Sequence, residues 1–571
     1  MRMTISIRIK RWLSTQKHLY FLFGALFIIP NCVLFVTAPM PATAGIASIS
    51  IPLAIWFGTL LLSRRPGIIV WILLPKVILD GGQLVLLHLF GESVIAVDMY
   101  LNLTSSNASE ASELLENIFL VIICVFLFYT LPTLCLAFYS IQIKDRLSDT
   151  FRKKWLKISF GLFLSGVLSG CLSFRTFSVK NDIYPANALY NLYFALDKAD
   201  RNKNYPVTSA NFTFHATKPV QAHNNREIYV LTVGETSRAM EWSLYGYEHE
   251  TTPRMEKLSG LAYFKDAITQ SNNTHKSVPI ILSAASAEDY DILYQKKSII
   301  TAFKEAGFHT VAIVNQKLTG SLISTFYREA DTYIDMSAFH TGSYLTSLHD
   351  DAILPYLQKE VNNAEGNLFI VLHTYGSHFN YHERYPREFA FYTPDKTDGL
   401  RAAGKDKLRN AYDNSILFTD YVLDEVVRIL KKSGACSSML YLSDHGEDIF
   451  DDARARYLHA SPIPTYYQLH IPYLIWFSDI YRRDYPEKYQ HALDHKALPV
   501  STNSVFHTML DIAGIETKEA DPSLALTNEA FLVRDRMYLD DHDDPIPFWK
   551  AGLKKLDFKM LDKWNISYKD E

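Results

Sequence analysis

The stretch Leu440-Tyr441-Leu442-Ser443-Asp444-His445-Gly446-Glu447 decides the fold of this chain. An apolar run rich in strand formers stops abruptly at an Asp-His pair followed by glycine. Buried parallel strands have this composition, and α/β folds bind their ligands just beyond the carboxyl ends of such strands. An adjacent carboxylate and imidazole at that edge can both reach one divalent metal. The plain alternative is a strand that ends in a polar turn with an ordinary aspartate and histidine.

Other segments share the pattern. Residues 227–234, 310–314, 368–373, 439–443 and 472–477 read as strands, and 298–306, 350–358 and 408–432 as helices between them. This alternation predicts a doubly wound α/β domain with a largely parallel sheet. Several strands end in chemistry. The first runs into Glu235, the third into His373 and then His378, and the fourth into Asp444 and His445. A parallel sheet brings its carboxyl ends to one edge, so these residues converge there. A lone strand-end acid is more often a helix cap, but three such ends point to a shared site. His373 reads as a structural histidine.

Within 269–283, Thr274 falls at or near the start of a helix-like run. Backbone N–H groups and the helix dipole there favour an anion. A threonine hydroxyl is a poor nucleophile unless a metal or base activates it. Read locally, Thr274 is no more than a helix cap.

The chain has 571 residues, a formal net charge of -4 and 48% hydrophobic residues. Basic residues are not pooled in one domain, which excludes a nucleic-acid footprint. The hydrophobic excess lies in the first third, in five apolar stretches near 19–36, 45–62, 67–90, 118–138 and 158–172. Each is about long enough for a membrane helix of roughly 20 residues. The first is read as a span, since four more follow and no clean small-residue cleavage site stands out. The N-terminal segment carries Arg2, Arg8, Lys10, Arg11 and Lys17. The second loop carries Arg64 and Arg65, and the fourth Lys144, Arg146, Arg152, Lys153 and Lys154. The first and third loops lack Lys and Arg. The positive-inside rule then places the N-terminus in the cytoplasm and everything after about Phe174 on the far side. In a bacterium that side is the periplasm or the exterior. Of five cysteines, only Cys436 lies in the far-side domain, which excludes an internal disulfide there.

The expected organisation is a five-helix membrane domain over 1–174, a juxtamembrane connector over 175–225 and a catalytic α/β domain over 226–571. The connector reads as a surface-lying amphipathic helix or as a packed linker. The tail after about Arg534 is rich in Asp and Lys and carries no assigned role.

Several motifs occur in order: Gly234-Glu235-Thr236-Ser237-Arg238, Leu244-Tyr245-Gly246-Tyr247, Glu250-Thr251-Thr252-Pro253, Thr274-His275-Lys276-Ser277-Val278-Pro279, Gly376-Ser377-His378, Ser443-Asp444-His445-Gly446-Glu447 and Tyr457-Leu458-His459. Together they resemble the phosphoethanolamine transferases of bacterial envelopes, members of the alkaline phosphatase and sulfatase superfamily. The resemblance covers nearly the whole chain, including the five-span topology. It implies a bacterial inner-membrane protein with a periplasmic catalytic domain of alkaline-phosphatase/sulfatase type. The implied reaction is zinc-dependent transfer of phosphoethanolamine from phosphatidylethanolamine to lipid A or another lipopolysaccharide or glycan acceptor. One zinc ion, or two, is expected, and the chain is expected to act as a monomer without nucleic acid.

By the same resemblance, Glu235, Thr274, Asp444 and His445 match zinc-binding positions, and Thr274 matches the nucleophile that carries the group. His378 and His459 match positions that contact the phosphate or a second zinc. His470 and Lys317 match substrate-contacting positions more loosely. Asn102, Ser106 and Glu110 recur every four residues, which puts them on one helical face. In the family an Asn, a Thr and a Glu at this spacing bind the ethanolamine-bearing substrate, and here Ser replaces Thr. A solvated loop helix is the alternative reading of these three. Relatives that staple the exported domain with disulfides differ from this chain, as do some in the loop 451–464.

A phosphoglycerol transferase or other phosphodiester hydrolase of the superfamily is the nearest alternative. A sulfatase proper needs a Cys or Ser before x-Pro-x-Arg, and no such motif stands at Thr274. A catalytically dead membrane-anchored binding protein would have lost the nucleophile or ligands, and all are present. The spans show no paired broken helices or repeats of a transporter.

Overall fold

The computed structural model describes residues 13–37, 40–105, 118–175, 177–219, 226–316, 318, 321–339, 348–397 and 401–568. They divide into two compact units, 1–100 with 114–195, and 101–113 with 196–571. The division falls inside the connector read from the sequence.

The first unit is helical. α1 (Gln16–Thr37), α2 (Ala42–Leu60), α5 (Ile118–Gln142) and α6 (Asp149–Leu172) are each long and apolar enough to cross a membrane. α3 (Pro66–Ile72) and α4 (Leu74–Phe90) meet at a 70° bend and make a fifth span if counted as one. The sequence reads 67–90 as one straight stretch. Pro75 stands in the first turn of α4, where proline is tolerated and the preceding helix is broken. The unit buries a charge. The Lys76 ammonium donates to Asp80 Oδ2 at 2.5 Å, and the hydroxyls of Tyr129 and Tyr184 donate to the same carboxylate at 2.6 and 2.9 Å. Lys76 also lies 4.4 and 4.6 Å from the ring centroids of Phe27 and Trp56. A charge inside an apolar bundle persists only with such partners.

α7 (Ala186–Thr208) accounts for much of the connector. The second unit is built on a seven-stranded sheet: β1 (Glu227–Gly234), β2 (Leu261–Tyr263), β3 (His309–Val314), β4 (Thr332–Asp335), β5 (Leu368–His373), β6 (Cys436–Ser443) and β7 (Tyr473–Phe477). Their order is β2-β7-β6-β1-β5-β3-β4. β6, β1, β5, β3 and β4 run parallel, while β7 is antiparallel to β6 and to β2. The five strands read from the sequence are all present. β2 and β4 are too short to leave a period, and strand direction is not written in composition. Both faces are buried, as expected of a parallel sheet. Tyr229, Leu231 and Val233 pack in one core and Ile228 and Val230 in the other, following the two-residue alternation of a strand. α9 (Lys405–Ser433) covers the second face.

β1 is central. Its register pairs Gly234 with Ser443 of β6 and Val233 with His373 of β5. The residues just beyond these strands therefore emerge side by side. α8 (Thr274–Ile281) follows β2 in the chain. The tail beyond Arg534 forms a hairpin of β8 (Met537–Leu539) and β9 (Pro545–Pro547), then α10 (Lys555–Lys563). All five cysteines are free thiols, and Cys436 is buried at the start of β6.

Candidate active site and metal centre

Glu235, Asp444 and His445 form the floor of the site, and all three are buried. Among the described residues, two groups bring potential ligand atoms within 4.8 Å of one another: Glu235 with Asp444 and His445, and Glu235 with His378 and His459. Glu235 belongs to both. The second group is partly open, so the site has a closed floor and an accessible rim.

Thr274 sits over the floor. Its Oγ1 lies 3.1 Å from His445 Nε2 and 3.3 and 3.4 Å from the two oxygens of Glu235. His445 Nε2 is in turn 3.4 Å from Glu235 Oε1 and 3.3 Å from Asp444 Oδ2. Thr274 is the first residue of α8, and Asn273 is the cap, accepting from the His275 amide at 2.8 Å. The cap role that the local sequence offered to Thr274 thus belongs to its neighbour, and the Thr274 hydroxyl is directed to the carboxylates.

The floor is held by bonds that leave its inner atoms facing one another. His445 Nδ1 lies 2.9 Å from the Gly446 carbonyl and can only donate there, so Nε2 of the neutral ring presents a lone pair. Asp444 Oδ1 accepts from the amides of Thr236 and His445, whereas the buried Oδ2 has no hydrogen-bond partner. Glu235 Oε2 accepts from Gln316 Nε2 at 2.8 Å, and Oε1 from the Thr236 hydroxyl at 2.7 Å. The Asp444 carbonyl accepts from the hydroxyls of Thr269 and Ser277, both at 2.6 Å.

Electrostatics sharpen this arrangement. Burial, then the charge of Glu235, pushes the Asp444 carboxyl well above its ordinary value. Burial also raises Glu235, but the imidazoles of His445, His378 and His459 and the Gln316 amide outweigh it and hold it near 2. Burial keeps His445, His378 and His459 below the usual imidazole range. Two buried carboxylates and an imidazole lone pair thus converge where the Thr274 hydroxyl offers a single hydrogen. A cation satisfies such a set of acceptors.

On the rim, His378 Nδ1 bonds to the Phe379 carbonyl at 2.7 Å and His459 Nδ1 to Glu447 Oε2 at 3.3 Å. The His459 ring lies 4.2 Å from that of His445 and 5.7 Å from that of His378. His470 is elsewhere in its bonding. Its two nitrogens engage the Tyr466 hydroxyl at 2.7 Å and the Lys265 carbonyl at 2.9 Å, it is buried, and it joins neither group. His373 Nδ1 meets the Tyr327 hydroxyl at 2.9 Å within the core, as a structural histidine does. Asn102 falls in the helix Val97–Ser105, but its side chain, and Ser106, Glu110 and Lys317, lie outside the described residues. The residue that sequence reading passed over is Gln316, which follows β3 at the same sheet edge. The strand-end rule that found Glu235 would have found it.

Comparison with known proteins agrees with this architecture. The family model described as Sulfatase matches residues 227–515, just over half of the chain. Phosphoethanolamine transferase EptA of Escherichia coli (strain K12) is 30% identical over 328 residues, covering 56% of this chain and 59% of that protein. The match therefore spans less than two thirds of that relative. The integral membrane protein lipooligosaccharide phosphoethanolamine transferase A (EptA) from Neisseria meningitidis has the same fold, with a TM-score of 0.69 at 22% identity over 90% of this chain and 98% of that one. The C-terminal periplasmic domain of EcEptC from Escherichia coli, solved in complex with Zn, has a TM-score of 0.53 at 25% identity over 59% of this chain and 95% of that one. The chain belongs to the sulfatase family, and the curated relative and solved structures named above are phosphoethanolamine transferases, the group its motif order resembles.

Proposed function

We propose that this protein transfers phosphoethanolamine from phosphatidylethanolamine to an envelope acceptor, lipid A or another lipopolysaccharide or glycan group, through a phosphorylated Thr274. The observation that carries this reading is the Thr274 hydroxyl held 3.1–3.4 Å from His445 and Glu235, beside the buried Asp444 carboxylate whose Oδ2 accepts no hydrogen bond. On this reading 1–174 is an inner-membrane domain, 175–225 a connector and 226–571 a periplasmic catalytic domain. The apolar helices of span length and the placement of Lys and Arg support that topology.

The ligand set of Glu235, Thr274, Asp444 and His445 fits zinc. Four pairs of their oxygen and nitrogen donors stand 3.1–3.4 Å apart, close enough for these residues to hold one ion of that size. When bound, zinc lowers the pKa of the threonine hydroxyl and offsets charge on the phosphoryl oxygens. His378 and His459 with Glu235 offer a place for the phosphate or for a second ion.

The residues of the chain then divide the work. Thr274 Oγ1 yields its proton to the imidazole of His378 or His459 and forms a bond to phosphorus as the bond to the diacylglycerol oxygen breaks. The imidazole of His378 or His459 gives that oxygen its proton. A phosphate anion between these rings offsets the lowering that burial imposes on them. In the second half, an acceptor hydroxyl or phosphate oxygen attacks phosphorus, the imidazole takes up any proton released, and Thr274 is regenerated. This is a ping-pong scheme. Asn102, Ser106, Glu110 and Lys317 are proposed to contact the donor head group. His470, with both nitrogens engaged, would support the site from behind.

Thr274→Ala should abolish transfer from labelled phosphatidylethanolamine while the protein still accumulates folded in the membrane. Full transfer by that variant would remove the assignment. Treatment with a chelator should silence the enzyme, and added zinc should restore it. Mass spectrometry of envelope glycolipids with and without the protein identifies the acceptor, and an added phosphoglycerol instead would replace this reading.

A further inference from the structure

The hairpin of β8 and β9 grips the segment that carries Thr274 on both sides. Upstream, the Leu539 amide donates to the Gln270 carbonyl at 2.8 Å, and the Tyr538 hydroxyl to Asn272 Oδ1 at 2.8 Å. Downstream, Lys276 Nζ donates to the Asp540 carbonyl at 2.7 Å and pairs with the Asp543 carboxylate at 3.2 Å. Asp543 also pairs with Lys198 of α7 at 2.9 Å. The three charged side chains are 2%, 4% and 9% exposed. Buried charges persist only when paired, so the carboxylate and the two ammonium groups hold one another in place.

The turn is shaped for this contact. The Asp540 carboxylate accepts from the amides of His542 and Asp544 at 2.8 and 2.9 Å. Asp543 itself has a φ of 63°, uncommon for a residue other than glycine. Lys276 lies two residues beyond Thr274, a rotation of about 200° around an α-helix. The lysine therefore anchors the back of the first turn of α8 while Thr274 faces the site.

We propose that Asp543, acting through Lys276, is a positioning residue for Thr274, fixing the first turn of α8 so that the hydroxyl stands at its distance from Glu235 and His445. This rests on Thr274 as the nucleophile proposed above. A reacting atom displaced by about 1 Å costs on the order of 100-fold in rate, and the clamp removes that freedom. The acidic run 540–544 thus acts by shaping a turn and holding two lysines.

The test uses the full chain in detergent micelles with fluorescent phosphatidylethanolamine, with rates normalised to the fraction resisting limited proteolysis. Asp543→Asn and Lys276→Met should each lower kcat by about tenfold or more, with KM for the donor within about twofold. The double variant should be no slower than the slower single one, and Lys276→Arg should recover most of the rate. An unchanged kcat per folded molecule in either single variant, or losses that multiply in the double variant, would overturn the proposal. Thr274→Ala runs alongside. A dead Thr274→Ala beside a fully active Asp543→Asn removes the positioning role alone, whereas an active Thr274→Ala removes the nucleophile and this role with it.

Discussion

Gly446 leaves no room for a side chain. A Cβ there would lie 2.1 Å from the Tyr467 carbonyl oxygen, backbone that cannot swing away. At Gly376, where φ is +56°, a Cβ would lie 2.6 Å from the Glu235 carbonyl oxygen. These two glycines let the turns after β6 and β5 close over the end of β1. Gly446→Ala should displace the Asp444-His445 turn, cost about 1–3 kcal/mol by overpacking and, on the proposed function, lower metal content and transfer together. Metal content measured beside activity checks this. At this scale much of the site was legible. Glu235, Asp444 and His445 stand where apolar strand composition stops, and such a stop is visible in any single sequence. The partners that orient them were not. Gln316 reaches Glu235, and the Tyr412 hydroxyl reaches the Thr236 carbonyl at 2.6 Å, from elements remote in the chain. The strand-end rule marks the position of Gln316 but not its bond, and no local pattern marks Tyr412.

Among the elements, β1 and β6 pair in parallel register with apolar residues on two buried faces, and composition announced both strands but not their direction. β4, four residues long and half-buried, left no comparable signal. The α3–α4 break shows the same limit in the membrane unit. Hydropathy marks the stretch as apolar but does not record a 70° change of direction. Near the break, Asp80 holds Lys76 and two tyrosines around one carboxylate. Asp80→Ala should leave the lysine charge buried and unpaired, a loss of about 3–5 kcal/mol, and thermal unfolding in detergent micelles measures it. Replacing both members with apolar residues should cost much less, because nothing charged is then left without a partner.

Over the whole molecule, stability in acid reports on pairs that tie distant parts of one unit together. Burial pushes the Asp543 carboxyl up, but Lys198 and Lys276 outweigh it and hold it below its ordinary 3.8. A carboxyl whose folded value lies below its unfolded value adds stability above the unfolded value and loses it as pH falls through the folded one. Asp543→Asn should therefore be destabilising near neutral pH, and the deficit should shrink below pH 3.8. Unfolding midpoints of both proteins across that range check the sign. The reach of this contact, from α7 through the tail to α8, explains why the tail said little as a sequence. Its Asp and Lys residues look like solvated charge until folding brings their partners from elsewhere in the chain. The free, buried thiol at the start of β6 has a different consequence. A domain assembled without sulfur cross-links gains nothing from the oxidative folding catalysts of its compartment and is not exposed to mispaired bridges. No step of its maturation waits on a disulfide, so the amount of folded protein should be the same in cells with and without their disulfide-forming enzymes, as limited proteolysis of membranes from both would check.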